Sequence, residues 1–218
     1  RWQHRLPVAA DGNYRVRSGA CPRMNKLKHP VVETANALEE ADVLVAEKLV
    51  PHAERSLVKT IGEISDLTDQ EPFYAASAAV LGVGMVLRDG PTFRAGTRIL
   101  AAHLLATALR GVVKRLVDRT RPIAAAEHGE YRLAKGKRYE SDFNSFPSGH
   151  TAGAVAVALA VGRAWPRARE TAVGLAAVAA LAQVLRSKHY LTDVIAGGAI
   201  GIVSEAAIDR LIFRAERL

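Results

Sequence analysis

The chain has 218 residues, enough for one domain with a sizeable hydrophobic core, and its single cysteine, Cys21, excludes an internal disulfide framework. A net charge of +8 suits nucleic acid, anionic lipid headgroups or an anionic substrate, but no nucleic-acid-binding motif accompanies the charge, so we expect no nucleic-acid partner. Hydrophobic residues make up 49% of the chain and strand-type alternation is scarce, which predicts an all-α fold.

Two regions precede the apolar part of the chain. Residues 1–30 carry seven lysines and arginines against a single acid, Asp11, and this composition favours a solvated basic arm, with contact to a membrane surface as the alternative. Residues 31–66 have an apolar and an acidic face, which predicts one or two amphipathic helices broken at Pro51. We therefore expect the basic arm to be followed by one helical domain over 31–218.

Five apolar segments rich in small residues come next. They predict a bundle of about five core helices and lie at about 72–87, 96–113, 149–165, 171–187 and 194–208. Most are shorter than the ~20 apolar residues of a typical membrane span, and the mean hydropathy is only +0.04, so buried helices of a soluble protein are one interpretation. The number of segments, and glycines such as Gly197 and Gly201, favour the other interpretation, a membrane-embedded bundle.

The first chemical pattern consists of Lys114 and Arg121, with Pro122 directly after. Seven positions are nearly two helical turns, so a continuous helix projects both cations from one face, and Pro122 then ends that helix or starts a turn. An ammonium and a planar guanidinium on one face suit a phosphate group. Taken alone, such a pair more often belongs to a solvated basic helix end.

The segment 146–151, with the sequence FPSGHT, marks the start of a helix. Pro147 and Gly149 indicate a turn, and Ser148 is a good N-cap residue before a long stretch of small apolar residues. The free N–H groups and dipole of a helix N-terminus favour an anion, and glycine lets the backbone approach a ligand closely. His150 is a candidate nucleophile there; an ordinary capped helix with a surface histidine is the alternative.

His189 and Asp193 lie four residues apart, which predicts that they share one face of a helix. A carboxylate hydrogen-bonded to an imidazole fixes its tautomer and raises its basicity. His189 is therefore a candidate general acid, with Asp193 as its orienting partner. A simple contact on the helix surface is the alternative.

The order and spacing of the three patterns together resemble the type 2 phosphatidic acid phosphatase superfamily, which includes lipid phosphate phosphatases, bacterial acid phosphatases and vanadium haloperoxidases. The resemblance covers about residues 60–210. It implies phosphate binding by Lys114, Arg121, Ser148 and Gly149. It also implies that His150 is the nucleophile and that His189 and Asp193 serve as acid and orienting group. The hydrolases of the family need no metal or cofactor, and the sequence has no His-Glu-x-x-His pattern and no cysteine cluster.

One position departs from the family pattern. The third motif of the family begins with Ser-Arg, whereas this chain has Ala182 and Gln183 there. Arg186 lies three residues further on and on nearly the same helix face. We therefore predict that Arg186 substitutes for the missing phosphate-binding arginine, with Gln183 as a neutral donor.

The resemblance implies a metal-independent phosphatase that hydrolyses a lipid phosphate, either a phosphomonoester or a pyrophosphate, through a phosphohistidine intermediate. A soluble acid phosphatase and a vanadate-dependent haloperoxidase share the fold, although the chain is short for the latter. A non-catalytic membrane module that binds anionic lipid is an alternative of a different class, because the motif arginine is missing. The sequence does not predict the oligomeric state or choose among lipid phosphates.

If each apolar segment crosses a membrane once, the three motifs lie on one side. The opposite side carries an excess of arginines, which the positive-inside tendency places in the cytoplasm. The expected location is the inner membrane with the active site facing outward. The arginines of the opposite side are Arg88, Arg94, Arg98, Arg163, Arg167, Arg169, Arg210, Arg214 and Arg217.

Overall fold

A computed structural model describes residues 37–66, 70–129, 131–136 and 141–214. The basic arm predicted over 1–30 lies outside these ranges. The α-helices are α1 (Ala37–Leu49), α2 (Ser56–Asp66), α3 (Gln70–Val86), α4 (Gly90–Leu116), α5 (Pro122–His128), α6 (Gly149–Ala164), α7 (Arg169–Leu185) and α8 (Leu191–Ile208), followed by a π-helical stretch, Asp209–Arg214. Short 3-10 turns cover Val50–His52, Ser141–Phe143 and Pro166–Ala168, and two strands, β1 (Val117–Arg119) and β2 (Leu133–Lys135), pair antiparallel.

The five predicted core helices are confirmed as α3, α4, α6, α7 and α8. Helix α6 packs against α4, α7 and α8, and α3 packs along α4, so α6 and α4 form the centre of the bundle. Local capping separates α3 from α4, because the side chain of Asp89 accepts a hydrogen bond from the Thr92 amide at 3.2 Å and Pro91 occupies the first turn.

Small residues fill the centre of the bundle and large apolar residues cover its outside. Ala102, Ala106, Ala156 and Ala160 are fully buried. Their size allows the helices to approach closely, and a Cβ atom at Gly201 would lie 2.7 Å from the Ala152 carbonyl oxygen. The exposed side chains include Leu104, Leu175, Val178, Leu181, Ile195, Ile202 and Val203. A large apolar exterior of this kind suits contact with lipid better than contact with water.

Two helical stretches in the described part of the chain are long and apolar enough to cross a membrane. They are Pro166–Leu185, with 20 residues, and Leu191–Phe213, with 23 residues. Glu71–Val86 is apolar but shorter. Helix α4 is interrupted by charged residues and α6 has only 16 residues, so the composition of single helices supports fewer than the five predicted crossings.

The predicted helix break at Pro51 is confirmed. Pro51 lies in the 3-10 turn between α1 and α2. Helix α2 packs against α7, and α1 lies near α5 and the start of α8. These two N-terminal helices therefore bring their side chains to the end of the bundle at which α4 ends and α6 begins.

Candidate active site

The prediction that Lys114 and Arg121 share one helix is wrong. Helix α4 ends at Leu116, and the next three residues pair with β2 as a strand. Arg121 is an extended residue that caps α5, and Pro122 occupies the first turn of that helix. The strand pairing replaces helical hydrogen bonds, and a sequence pattern based on helical spacing does not include this non-local contact.

The two cations nevertheless lie close enough to repel each other. Lys114 is in the last turn of α4, beyond the apolar segment 96–113. Burial, followed by repulsion from Arg110 and Arg121, lowers the pKa of Lys114 to about 8. The Nε atom of Arg121 donates to the Ser141 carbonyl oxygen at 3.0 Å, and Arg121 also lines a polar cavity. The pair can therefore bind an anion, although from two different elements.

The predicted turn into a helix at 146–151 is confirmed. Ser148 is the N-cap of α6, and its side-chain oxygen accepts hydrogen bonds from the Thr151 amide and hydroxyl at 3.5 and 3.0 Å. The Ser148 amide donates to the Asp193 carbonyl oxygen at 3.0 Å. A Cβ atom at Gly197 would lie 2.4 Å from the Ser148 carbonyl oxygen, so a glycine permits this close approach of α8. The second and third motifs are thus fixed to each other, with a cis Phe146–Pro147 peptide before the cap.

The prediction that His189 and Asp193 share a helix face is wrong in its local structure. Helix α8 begins at Leu191 with Tyr190 as its N-cap, so His189 precedes the helix. The Asp193 side chain accepts from the Tyr190 amide at 2.8 Å and caps the helix. The two side chains still approach each other, with 3.7 Å between His189 Nδ1 and an Asp193 carboxylate oxygen.

A backbone carbonyl, rather than Asp193, is the nearest partner of His189. Its Nδ1 lies 2.7 Å from the Ser145 carbonyl oxygen. Because a carbonyl oxygen only accepts, Nδ1 carries the proton and Nε2 keeps a lone pair. Burial lowers the pKa of His189 to about 4, and the charges of Arg121 and Lys114 act in the same direction against Asp193. The imidazole is therefore neutral near pH 7 without a ligand.

Arg119, which the sequence patterns missed, holds this part of the site together. Its Nη1 atom donates to Asp193 at 2.7 Å, and its Nη2 atom donates to Asp42 of α1 at 2.8 Å. The guanidinium carbon lies 4.1 Å from the centre of the Tyr190 ring. The side chains of Arg119, Asp193, Asp42 and Tyr190 are all buried, so the cluster holds α1, β1 and α8 together beside His189. No local signal marks Asp42, because 77 residues separate it from Arg119.

Arg186, the predicted substitute for the motif arginine, binds a carboxylate. Its terminal nitrogens donate to Asp66 at 2.6 and 3.3 Å, and one of them also donates to the Gly62 carbonyl oxygen at 3.0 Å. The same carboxylate lies 4.0 Å from His150 Nε2. Gln183 is fully buried, and its amide nitrogen donates to the Ser65 hydroxyl at 2.8 Å. Arg186 and His150 therefore lie on either side of the same carboxylate, and the donors of Arg186 are directed at Asp66.

Two cavities adjoin these residues. A polar one of about 640 Å³ is lined by residues that include Asp66, Arg121, Arg186 and Lys188. An apolar one of about 410 Å³ lies between α6 and α7 and extends to Ser65, the neighbour of Asp66. Over the described ranges, no group of three or more histidine, cysteine or acidic side chains is arranged to hold a metal ion.

A family model described as the PAP2 superfamily matches residues 95–217, which include all three motifs. The chain belongs to the PAP2 superfamily. Among curated relatives, the lipid A 1-phosphatase of Rhizobium johnstonii is 34% identical over 93 residues, which are 43% of this chain and 38% of the relative. The lipid A 1-phosphatase of Rhizobium etli is 29% identical over 106 residues, which are 49% of this chain and 45% of the relative. The chain therefore spans less than half the length of these relatives.

A solved PAP2 structure has the same fold. It is the transmembrane PAP2-type phosphatidylglycerolphosphate phosphatase from Bacillus subtilis, with a TM-score of 0.56 and 20% sequence identity. The match covers 82% of this chain and 89% of the Bacillus protein. At this identity the likeness establishes the PAP2 fold of the chain.

Proposed function

We propose that this PAP2 protein is a phosphatase that acts on a lipid phosphate through a phosphohistidine intermediate. The observation that carries the proposal is the arrangement at the start of α6. His150 lies there in the first helical turn. Lys114 and Arg121 are close enough to repel each other, and both charges act on a second, buried histidine, His189, which the Ser145 carbonyl group fixes. A helix N-terminus with nearby cations and a nucleophile is suited to phosphoryl transfer.

In the first step, His150 Nε2 attacks phosphorus, an N–P bond forms and the bond to the leaving oxygen breaks. Lys114, Arg121 and the amide groups in the first turn of α6, which begins at Gly149, stabilise the phosphoryl oxygens. The leaving oxygen takes a proton from His189. Because His189 is neutral without a ligand, we infer that the negative charge of the bound phosphate raises its pKa and supplies the protonated form.

In the second step, water attacks phosphorus and the N–P bond breaks. His189 Nε2, which has now lost its proton, accepts one from the water. Inorganic phosphate leaves and the enzyme returns to its starting state. The Ser145 carbonyl group keeps a proton on Nδ1 of His189 in both steps, so proton transfer takes place at Nε2.

Two features favour a lipid as the substrate. The exterior of the bundle is apolar, and the apolar cavity between α6 and α7 reaches Ser65 beside the polar cavity. A headgroup at His150 could therefore keep its acyl chain in apolar surroundings. Since two relatives are named lipid A 1-phosphatases, a lipid A 1-phosphate is the first substrate to test.

We also propose an inner-membrane location with the active site facing outward. Two of the arginines on the opposite side, Arg98 and Arg163, are paired with Glu205 and Asp209 and do not count as free loop charge. Exposed arginines such as Arg167 still support a cytoplasmic location of that side. Accessibility of an engineered cysteine at position 128 to an impermeant thiol reagent in intact cells tests the orientation.

The test of function is release of inorganic phosphate by purified protein in detergent, with a chelator present. The substrates are lipid A 1-phosphate, phosphatidic acid, phosphatidylglycerol phosphate and a water-soluble aryl phosphate. We expect release from a lipid, a loss of at least ~10⁴-fold in His150→Ala, and normal release in the matched control His52→Ala, whose side chain is exposed. Preference for the aryl phosphate would favour a soluble-type acid phosphatase.

A non-catalytic lipid-binding module is the second candidate. It is favoured by Gln183 at the position of the motif arginine and by the Arg186–Asp66 pair. This candidate predicts that the protein binds vesicles containing phosphatidic acid and that no phosphate is released from any substrate. Release that depends on His150 would exclude it.

A further inference from the structure

Helix α4 carries a third cation close to the start of α6. Arg110 precedes Lys114 by four residues, so both side chains leave the same face of the helix. A Cβ atom built at Gly149 would lie 2.0 Å from Arg110 Nη1 and 3.1 Å from its guanidinium carbon. The guanidinium of Arg110 therefore occupies the space that a side chain at position 149 would fill, one residue before His150.

The charges around Arg110 favour an anion. Arg110 is the first of the charged neighbours that lower the pKa of Lys114, with Arg121 after it, while Asp193 acts in the opposite direction. Like charges that are close together and partly buried repel each other unless an anion lies between them. The first turn of α6 adds amide groups and the positive end of a helix dipole. Arg110 thus places positive charge at the N-terminus of α6, and Lys114 and Arg121 belong to the same group of cations.

The two candidate arginines differ in what they contact. The fork of Arg186 is held by both oxygens of Asp66, and freeing it requires breaking this ion pair. The guanidinium of Arg110 lies against a glycine of the phosphate-binding motif instead. The guanidinium of Arg110 is therefore already at the start of α6, whereas the donors of Arg186 are directed at Asp66.

We propose that Arg110 binds the phosphoryl group and supplies the guanidinium that is missing at Gln183. The inference rests on the proposed function, since it assigns a ligand of the same site. Two N–H groups of the guanidinium donate to phosphoryl oxygens and stabilise the charge that develops on them. Gly149 then has a second role, because any larger residue displaces Arg110.

The experiment compares Arg110→Ala, Arg110→Lys and Arg186→Ala with Arg115→Ala, which removes an exposed arginine from the same helix and serves as the matched control. For each protein, kcat and KM of phosphate release and the inhibition constant of orthovanadate, a phosphate mimic, are measured. We expect Arg110→Ala to lower kcat/KM by ~10²–10³-fold and to weaken vanadate by at least ~10-fold. Arg110→Lys should recover part of both losses, and Arg115→Ala should stay within about twofold.

Two outcomes would overturn the proposal. Arg110→Ala could retain kcat/KM and vanadate affinity within about threefold of the natural protein, or Arg186→Ala could show the large loss in its place. If the natural protein and Arg115→Ala release no phosphate, the proposed function fails. Calorimetric titration with orthovanadate then still tests Arg110, since weaker binding by Arg110→Ala and Arg110→Lys supports its anion-binding role and equal binding contradicts it.

Discussion

Helix α4 carries charged residues near both ends, and the two clusters differ in the balance between positive and negative charge. Near its start, Arg98 donates to Glu205 at 3.1 Å and to Asp209 at 2.8 Å, while Arg163 donates to Glu205 at 2.8 Å. Near its end, Lys114 is next to Arg110 and Arg121, and repulsion by both lowers its pKa. The first cluster pairs two arginines with two carboxylates, and the second has an excess of positive charge.

The difference indicates two separate roles. A balanced cluster inside a helical bundle satisfies its own charges, so it holds α4, α6 and the end of α8 together. The Arg98 guanidinium also lies 4.0 Å from the centre of the Phe213 ring, which adds a cation–π contact. An excess of cations at a helix N-terminus is costly without an anion and gains energy when one binds. Variants at the two ends of α4 should therefore affect stability and activity separately.

The largest effect on stability is expected from Arg98→Ala. The change leaves the buried Glu205 and Asp209 with Arg163 alone, and removal of one partner from a buried ion pair costs ~3–5 kcal/mol. Thermal unfolding in detergent should show a Tm lower by roughly 10 °C, whereas kcat of the folded protein should stay within about twofold. Arg167→Ala, which removes an exposed arginine at the same end of the bundle, is the control. An unchanged Tm would mean that the cluster does not hold the helices.

Lys114→Met should have the opposite profile. Loss of one cation from the phosphate site should lower kcat/KM by ~10²–10³-fold, a cost of about 2.7–4 kcal/mol in the transition state. The Tm should be unchanged or higher, because the substitution removes a partly buried charge that is repelled by Arg110 and Arg121. A fall in Tm of the size expected for Arg98→Ala would remove the distinction between the two ends of α4.

The sequence predicted the elements that depend on local signals. Ser148 caps α6 where its residue type indicates, and the apolar segments are the core helices. The geometry of the site was predicted less well, because it depends on non-local pairing. Strand β1 separates Lys114 from Arg121 only because it pairs with residues 133–135.

Other site residues carry no signal in their own neighbourhood. Arg110 lies outside the spacing of the first motif, and its contact is with Gly149 on another helix. Asp66 reaches Arg186 across 120 residues of sequence. The carbonyl group that orients His189 belongs to Ser145, and a backbone group leaves no trace in the residue type. Residue patterns identify the chemistry of such a site, whereas tertiary packing decides which charges meet.

The charge excess at the end of α4 also predicts a pH effect. In the proposed mechanism Lys114 binds phosphate in its protonated form, and its pKa is lowered to about 8, so kcat/KM should fall as the pH rises through about 8. In Arg110→Ala, one source of repulsion is gone and the pKa of Lys114 should rise. The alkaline limb of the profile should then move to higher pH by up to about one unit, which corresponds to ~1.4 kcal/mol. An alkaline limb at the same pH in both proteins would show that Arg110 does not act on Lys114.

The smallest effect is expected at Asp66, a carboxylate close to the proposed nucleophile, His150. Its charge lies 4.0 Å from His150 Nε2, and its pKa is held below the ordinary value by Arg186, with smaller effects of Lys188 and His150, against the opposing effect of burial. The carboxylate is therefore ionised near pH 7 and repels a phosphoryl group while it occupies Arg186. Asp66→Asn keeps the shape, removes the charge and should lower KM by about two- to fivefold, with little change in kcat.

Glu54→Gln serves as the matched control for Asp66→Asn, since it removes another exposed carboxylate that lines the same polar cavity. A higher KM or a lower kcat in Asp66→Asn alone would mean that the carboxylate positions His150 or Arg186 for the reaction. In that case the negative charge of Asp66 is needed for the reaction. It also partly balances the excess of cations at this end of α4, as carboxylates balance the arginines at the other end.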